Sequence, residues 1–200
     1  MMKIRNKIIA LVISLIAIPT FANSQAKYYI GAEYNKNTID TGISNVSSRL
    51  DDEDNGYSIF FGLPINKDFD VEVSYNNFGE ASLSGVDGNQ FRLNGTLYTF
   101  NQTATISAEA KSYGVAVKPK LNINKNFDLV GTLGAHKWDI DASVRGTTVS
   151  GDGSDDGIDL FYGVGLKANF DAISVGLNYN IYNLDDEEVK SMGIRVSAAF

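Results

Sequence analysis

The chain has 200 residues, of which 11% are aromatic and 20% are charged, and this composition favours one folded domain over a disordered chain. It contains no cysteine, which excludes disulfide bonds and thiolate metal ligands. Its formal net charge of −7 argues against a nucleic-acid partner, because phosphate binding needs a basic surface.

The first 22 residues follow the plan of a secretory signal peptide. Cations near the start precede an apolar run from Ile8 to Ile18, and Thr20 and Ala22 place small residues before a cut after Ala22. The apolar run is much shorter than the roughly 20 residues that a membrane-spanning helix needs. We therefore predict a cleaved signal peptide over residues 1–22 and a folded domain over residues 23–200.

Beyond residue 22 the dominant pattern is an alternation of apolar residues with small or polar ones. In the segment FDVEVSYN, which begins at Phe69, the apolar residues fall on odd positions and the acids on even ones. A period of two is typical of a β-strand with two unlike faces. The pattern recurs in eight segments, at residues 28–34, 57–65, 69–76, 113–121, 127–138, 160–170, 173–182 and 191–200.

The connections between these segments are alternately short and long. Short turns fall at 66–68, 122–126 and 171–172, whereas polar links fall at 35–56, 77–112, 139–159 and, more briefly, 184–189. Within the link 77–112, further alternation around Asn94-Gly95 predicts an extra hairpin. The overall pattern predicts an all-β fold: an eight-stranded antiparallel up-and-down transmembrane barrel with short periplasmic turns and long extracellular loops.

Two observations orient the faces of the strands. The polar face carries many glycines, which pack nothing on a solvent-facing strand but leave room for long side chains in a narrow lumen. The same face carries charges of both signs, which a dry lumen has to pair. We predict lumen ion pairs that join Glu33 to Arg195, Glu72 to Lys118 and Asp70 to Lys120 as ladder neighbours, with Lys167 on the same face. The alternative is a soluble ligand-binding barrel with its apolar face inside.

The signal peptide, the eight alternating segments, the unequal connections and the terminal Phe200 together resemble the OmpA-like transmembrane-domain family of small outer-membrane barrels in Gram-negative bacteria. The resemblance implies an outer-membrane location and contact with outer-membrane lipids and lipopolysaccharide. It also implies that the barrel-assembly machinery reads Phe200 as an assembly signal. In such barrels acid–base pairs plug the lumen, a role that the predicted ion pairs fit.

Acidic residues cluster in the predicted loops, where they favour solubility at the cell surface. One cluster, DGSDDGID, resembles the start of a calcium loop, with oxygen ligands at Asp152, Ser154 and Asp156 before Gly157. The closing glutamate of such a loop is replaced by Gly163, so the calcium candidate is weak.

Enzyme chemistry has little support in the sequence. The only histidine is His136, with Ser143 and Asp139 or Asp141 close in sequence. The position two residues along on the same face is Trp138 and not a serine, so no triad geometry is indicated. We predict no catalytic residue and no cofactor. The predicted function is a non-enzymatic outer-membrane barrel with an ion-pair-plugged lumen, serving envelope structure or surface interaction through its extracellular loops. The alternatives are a narrow channel for small solutes and an outer-membrane lipid-modifying enzyme.

Overall fold

The computed structural model describes residues 28–45, 47–185 and 187–200, so the predicted signal peptide lies outside the described residues. No helix in this part of the chain is long and apolar enough to cross a membrane. The strands are β1 (Tyr29–Ile39), β2 (Ile43–Asn45), β3 (Arg49–Asp51), β4 (Glu53–Pro64), β5 (Phe69–Gly85), β6 (Gln90–Leu93), β7 (Thr96–Thr99), β8 (Ala104–Asn122), β9 (Phe127–Gly146), β10 (Ser150–Phe170), β11 (Ile173–Leu184) and β12 (Glu187–Ala199).

Eight of these strands form a closed antiparallel barrel. Their order around the wall is β1-β4-β5-β8-β9-β10-β11-β12, and β12 pairs back onto β1 from Tyr29 opposite Ala199 to Ile39 opposite Val189. The predicted eight-stranded up-and-down barrel is therefore confirmed. Three short connections, at 65–68, 123–126 and 171–172, lie at one end of the barrel, which we call the turn end. The other end is the loop end.

The two longest connections lie at the loop end and carry strands of their own. The connection between β5 and β8 contains the predicted hairpin, in which β6 pairs with β7. Asn94 and Gly95 form its turn with φ values of 47° and 82°, a left-handed backbone that asparagine and glycine tolerate best. β2 pairs with β6, and β3 pairs with the outer part of β5.

The prediction of a long polar loop over 139–159 is wrong. β9 and β10 run through this region as a regular ladder, with Asp152 opposite Ser143, and only residues 147–149 connect them. Aspartate and glycine are depleted in strands, which is why the sequence pattern indicated a loop. The backbone hydrogen bonds to β9 outweigh that local preference. The link predicted at 184–189 likewise shortens to residues 185–186.

The apolar face of the barrel points outward, as predicted. Ile194 is 56% exposed and Val175 39%, whereas Lys118 is 5% exposed and faces the lumen. Outward aromatic side chains stand in two rows, which bound the membrane-spanning segments. The row at the turn end includes Tyr28, Phe69, Phe127, Phe170 and Phe200, and the row at the loop end includes Tyr34, Tyr57, Tyr75 and Tyr113.

Glycines of the lumen face leave space for aromatic rings that point inward. A Cβ atom at Gly62 would overlap the ring of Tyr29, and one at Gly134 would overlap Phe161. Each ring therefore occupies the volume that a neighbouring strand leaves free. Further such pairs join Gly31 to Phe60 and Gly157 to Trp138.

Four strands continue past the loop-end tyrosines and form what we call the projecting sheet: residues 79–85 of β5, 104–111 of β8, 138–146 of β9 and 150–159 of β10. Its inner face is covered by the two long connections. Leu83, Phe100 and Ala104 form a small buried cluster there, against which Leu50 and Phe91 pack. The projecting sheet thus has its own apolar core outside the membrane-spanning segments.

Candidate functional site

The lumen contains a buried layer of charged side chains near its middle. Glu72 is its centre: its carboxylate accepts hydrogen bonds from Lys118 Nζ at 3.3 Å, from the Tyr29 hydroxyl at 3.1 Å and from the guanidinium of Arg195. The same Arg195 lies 3.6 Å from Glu33, which stands directly opposite it in the β1–β12 ladder. We call Glu33, Glu72, Lys118 and Arg195 the ion-pair layer.

The ion-pair layer is fixed by neutral neighbours as well. The guanidinium carbon of Arg195 lies 3.4 Å from the centre of the Phe60 ring, a cation–π arrangement. Asn178 Nδ2 donates to Glu33 at 3.1 Å. Each carboxylate therefore has both a hydrogen-bond donor and an opposite charge beside it, which is what charges removed from water require.

A second set of charges lies nearer the turn end. Lys120 Nζ is 2.5 Å from Asp70, and the ammonium group of Lys167 lies 5.4 Å from the centre of the Tyr29 ring. Together with the ion-pair layer, these residues account for the seven predicted lumen charges: Glu33, Asp70, Glu72, Lys118, Lys120, Lys167 and Arg195.

The predicted register between β5 and β8 is wrong by two residues. Asp70 stands opposite Lys118, and Glu72 stands opposite Ala116. The side chains nevertheless join Glu72 to Lys118 and Asp70 to Lys120, because long side chains reach diagonal neighbours across a ladder. The sequence pattern predicts which charges share a face, but it does not fix the pairing register of the two strands.

Above the ion-pair layer lies a layer of amides and hydroxyls. Asn76 Nδ2 donates to Ser112 at 3.0 Å, and Asn37 Nδ2 donates to Asn35 at 3.1 Å. Several oxygens of this amide layer, among them those of Asn180 and Ser191, are buried without a protein partner among the described residues.

An aromatic cluster lies in the lumen toward its loop end. Phe161 and Tyr182 stack with centroids 4.9 Å apart, and Phe78 packs 4.8 Å from Tyr182. Phe78 is fully buried, and Trp138 is 3% exposed. We call these four residues the aromatic cap. The aromatic cap is absent from the predicted site, although bulky aromatic residues on the glycine-rich face were a signal for it.

His136 is part of the lumen packing. Its Nε2 lies 2.9 Å from the backbone oxygen of Asn183, and its ring contacts Phe161 and Tyr182 edge to face. Ser143 lies on the same strand, β9, an odd number of residues from His136, and its side chain is on the outer face of the projecting sheet. The two side chains point to opposite faces of the sheet, so they cannot act together in a triad.

The structure contradicts the calcium-loop interpretation. Asp152, Ser154 and Asp156 are alternate residues of a strand, so neighbouring side chains are about 6.6 Å apart and do not converge. Asp152 instead contacts Arg145 at 2.5 Å. No group of three or more histidine, cysteine or acidic side chains in the described residues is placed to hold a metal ion.

The outer part of β10 forms an open edge of the projecting sheet. Residues 150–159 pair with β9 on one side, whereas β11 begins to pair with β10 only at Phe161 opposite Tyr182. The backbone N–H of Gly146 donates to the oxygen of Val149 and closes the hairpin. From this pair onward, the backbone groups of successive β10 residues point alternately toward β9 and away from it. The backbone groups of Asp152, Ser154 and Asp156 therefore face away from β9. Among the described residues no strand covers this edge.

Outward lysines stand just beyond the loop-end tyrosines, outside the membrane-spanning segments. Lys36 Nζ lies 2.5 Å from Glu53, and Lys111 Nζ lies 3.3 Å from Glu109. These hydrogen bonds raise the pKa of both lysines above the ordinary value. The ammonium groups stay charged at neutral pH and are already partly neutralised by their acidic neighbours.

A closed antiparallel barrel with an apolar outer wall, two aromatic rows and a polar lumen defines an integral outer-membrane β-barrel. The chain belongs to the outer membrane protein beta-barrel domain family, whose model matches residues 8–200. No curated protein sequence matches the chain.

Two solved structures show the same fold at low identity. Ail, the attachment invasion locus protein of Yersinia pestis, is 20% identical, and the match covers 88% of this chain and 99% of Ail with a TM-score of 0.54. Neisserial surface protein A is 15% identical, with 86% and 97% covered and a TM-score of 0.53. The protein is a surface-exposed envelope barrel of the Gram-negative outer membrane, with its turn end periplasmic and its loop end outside.

Proposed function

We propose that the protein is a non-enzymatic barrel whose lumen is plugged by the ion-pair layer and whose projecting sheet contacts macromolecules outside the cell. The observation that carries this proposal is the open edge of β10. An unpaired edge offers backbone donors and acceptors to an added strand, and natural proteins usually cover or blunt such edges. Here it stands well beyond the membrane, where a partner can reach it.

The charge of the edge indicates the chemistry of the partner. Asp152, Asp155 and Asp156 lie along this edge. Arg145 and Lys137 pair with two of them, but the acids outnumber these cations, and the remaining negative charge favours an extended polypeptide segment rich in lysine or arginine. A second copy of the same edge would set aspartate against aspartate. Ail has been solved with sucrose octasulfate, a heparin analogue. Such a polyanion does not suit the open edge described here.

The contacts in the lumen support a plug rather than a channel. The ion-pair layer and the aromatic cap close the lumen at two different depths, and eight strands leave space only for their own side chains. An enzymatic role lacks support because His136 is 1% exposed and faces the lumen.

The membrane partners follow from the outer wall and the last strand. We assign outer-membrane lipids and lipopolysaccharide to the apolar wall, and recognition by the barrel-assembly machinery to Phe200. The Phe200 ring is 68% exposed beside Tyr28, and its backbone N–H donates to the oxygen of Tyr28 at 2.9 Å. The terminal aromatic is therefore held at the seam of the barrel while its ring stays accessible.

A labelled peptide of alternating lysine and valine tests the surface contact, with a glutamate–valine peptide as the charge control. Fluorescence anisotropy measures binding to the protein in lipid vesicles. Ser154→Pro blocks strand addition without changing the charge, and we expect it to weaken binding of the lysine peptide at least tenfold. If Ser154→Pro binds as well as the wild type does, the contact is electrostatic only and strand addition at this edge is rejected.

A further inference from the structure

The membrane-facing wall contains an apolar groove of about 610 Å³ that includes no residue of the ion-pair layer and touches the projecting sheet near its base, at Ile158. It lies between two rows of outward side chains that run across the strands. Val73, Val115 and Ala135 are consecutive partners in one row, and Tyr75 and Tyr113 begin the next row toward the loop end. The groove therefore crosses several strands instead of following one.

The sequence creates this groove by a change of side-chain size. Ala135 stands between Val115 and Leu160 in the ladder and offers only a methyl group to the wall. Tyr113, which is 62% exposed, rises beside it. A small residue beside a protruding aromatic residue leaves a depression in the wall.

The depth of the groove limits what can occupy it. It lies just inside the loop-end row of tyrosines, within the hydrocarbon of the outer leaflet. An occupant has to be apolar along its length, because water is absent there and an unsatisfied polar group would be costly. A second barrel has a convex, rigid wall, which does not fill a depression between side chains. An acyl chain matches both its polarity and its shape.

One end of the groove is polar. Lys137 stands opposite Tyr113 in the ladder and lines the groove, and its ammonium group lies 3.0 Å from Asp139 and 3.6 Å from Asp156. A lipid head group at this end meets a cation that two acids already neutralise in part. Selectivity at this site therefore comes from the apolar groove more than from the head group.

We propose that this groove is a binding site for one acyl chain of an outer-leaflet lipid, and that it retains the lipid when the barrel is extracted from the membrane. Lipopolysaccharide and phospholipid both carry such chains. The inference does not depend on the proposed surface partner, because the groove and the open edge share only Ile158, whose side chain faces the membrane side of the wall and takes no part in strand addition.

Native mass spectrometry of the barrel, extracted from its own membrane in mild detergent, tests the site. We expect one retained lipid on the wild-type protein, with a mass that distinguishes lipopolysaccharide from phospholipid; either identity supports the site. Ala135→Phe fills the groove and should reduce the retained fraction at least tenfold. Ala168→Phe adds the same ring to an outward position near the turn end and should leave retention unchanged.

Tyr113→Ala serves as a second variant, because it removes one wall without adding bulk and should also release the lipid. Heat-modifiable gel mobility confirms that each variant is folded. A wild-type protein that retains no lipid, or folded Ala135→Phe and Tyr113→Ala variants that retain as much as the wild type, would overturn the proposal.

Discussion

At the scale of single residues, the lumen is organised by complementary sizes. An aromatic ring on one strand fills the space above a glycine on the next, as Phe161 does above Gly134. Such a contact has no tolerance for an added methyl group, because the backbone oxygen of Val115 also lies close to the Gly134 position. The glycines of the lumen are therefore required for packing, and replacing them should lower the free energy of unfolding.

Gly134→Ala should lower the free energy of unfolding by about 1–3 kcal/mol, the usual cost of overpacking. Urea unfolding in lipid vesicles, followed by gel mobility, measures it. Gly151→Ala is the matched control, because nothing lies within 4 Å of its added Cβ. The control should be neutral or stabilising by up to about 1 kcal/mol, since alanine restricts the unfolded chain. Equal losses in both variants would contradict the size argument.

Glu72→Gln should lower the free energy of unfolding by about 3–5 kcal/mol, because it leaves Lys118 and Arg195 buried with an incomplete counter-charge. The same urea assay reports the change. Lys36→Gln, which breaks an exposed ion pair with Glu53, should have a much smaller effect. Similar effects of the two substitutions would show that the ion-pair layer is hydrated like the surface.

The residues of the ion-pair layer could be predicted from sequence because sign and parity are both local properties. The aromatic cap could not be predicted in the same way. Phe161 shares the parity of Gly163 and Gly165, so alternation does place its ring on the lumen face, but it does not say which other rings that one meets there. The glycines that make room for it, Gly114 and Gly134, lie on neighbouring strands and are distant in sequence.

At the scale of elements, the outer half of β10 should behave as a strand with one bonded side. Amide protons of Gly151, Gly153 and Asp155 point to β9, whereas those of Asp152 and Ser154 point to the open edge. Hydrogen exchange followed by NMR should therefore alternate between slow and fast along this segment. Uniformly slow exchange would reveal a covering strand, and uniformly fast exchange would show that the ladder frays.

The error over residues 139–159 has a physical cause at this scale. Intrinsic strand propensity is the preference of a residue type averaged over many environments. The segment SGDGSDDG consists of residue types that are rare in strands. A long partner strand and a three-residue connection supply enough ladder hydrogen bonds to override it. The shorter predicted strands, such as 173–182, were nearly correct because their propensity and their pairing agree.

At the scale of the whole molecule, the ion-pair layer and the aromatic cap should each block the lumen independently of the other. Planar-bilayer recordings of the wild type should show no steady conductance. Glu72→Gln combined with Lys118→Gln removes charge from the ion-pair layer, yet the lumen should stay closed because the aromatic cap remains. Conductance should appear only when Phe78→Ala and Tyr182→Ala are added. Steady openings in the charge variant alone would show that the aromatic cap does not seal the lumen.

The seam between β1 and β12 joins residues that are separated by almost the full described chain, from Tyr29 opposite Ala199 onward. The cylinder therefore cannot be completed while its final strand is still being synthesised, and the earlier strands have to remain unfolded and protected until then. Losing the last strand would expose two hydrogen-bonding edges to hydrocarbon at once, so an interrupted chain has no partly finished barrel in which to rest.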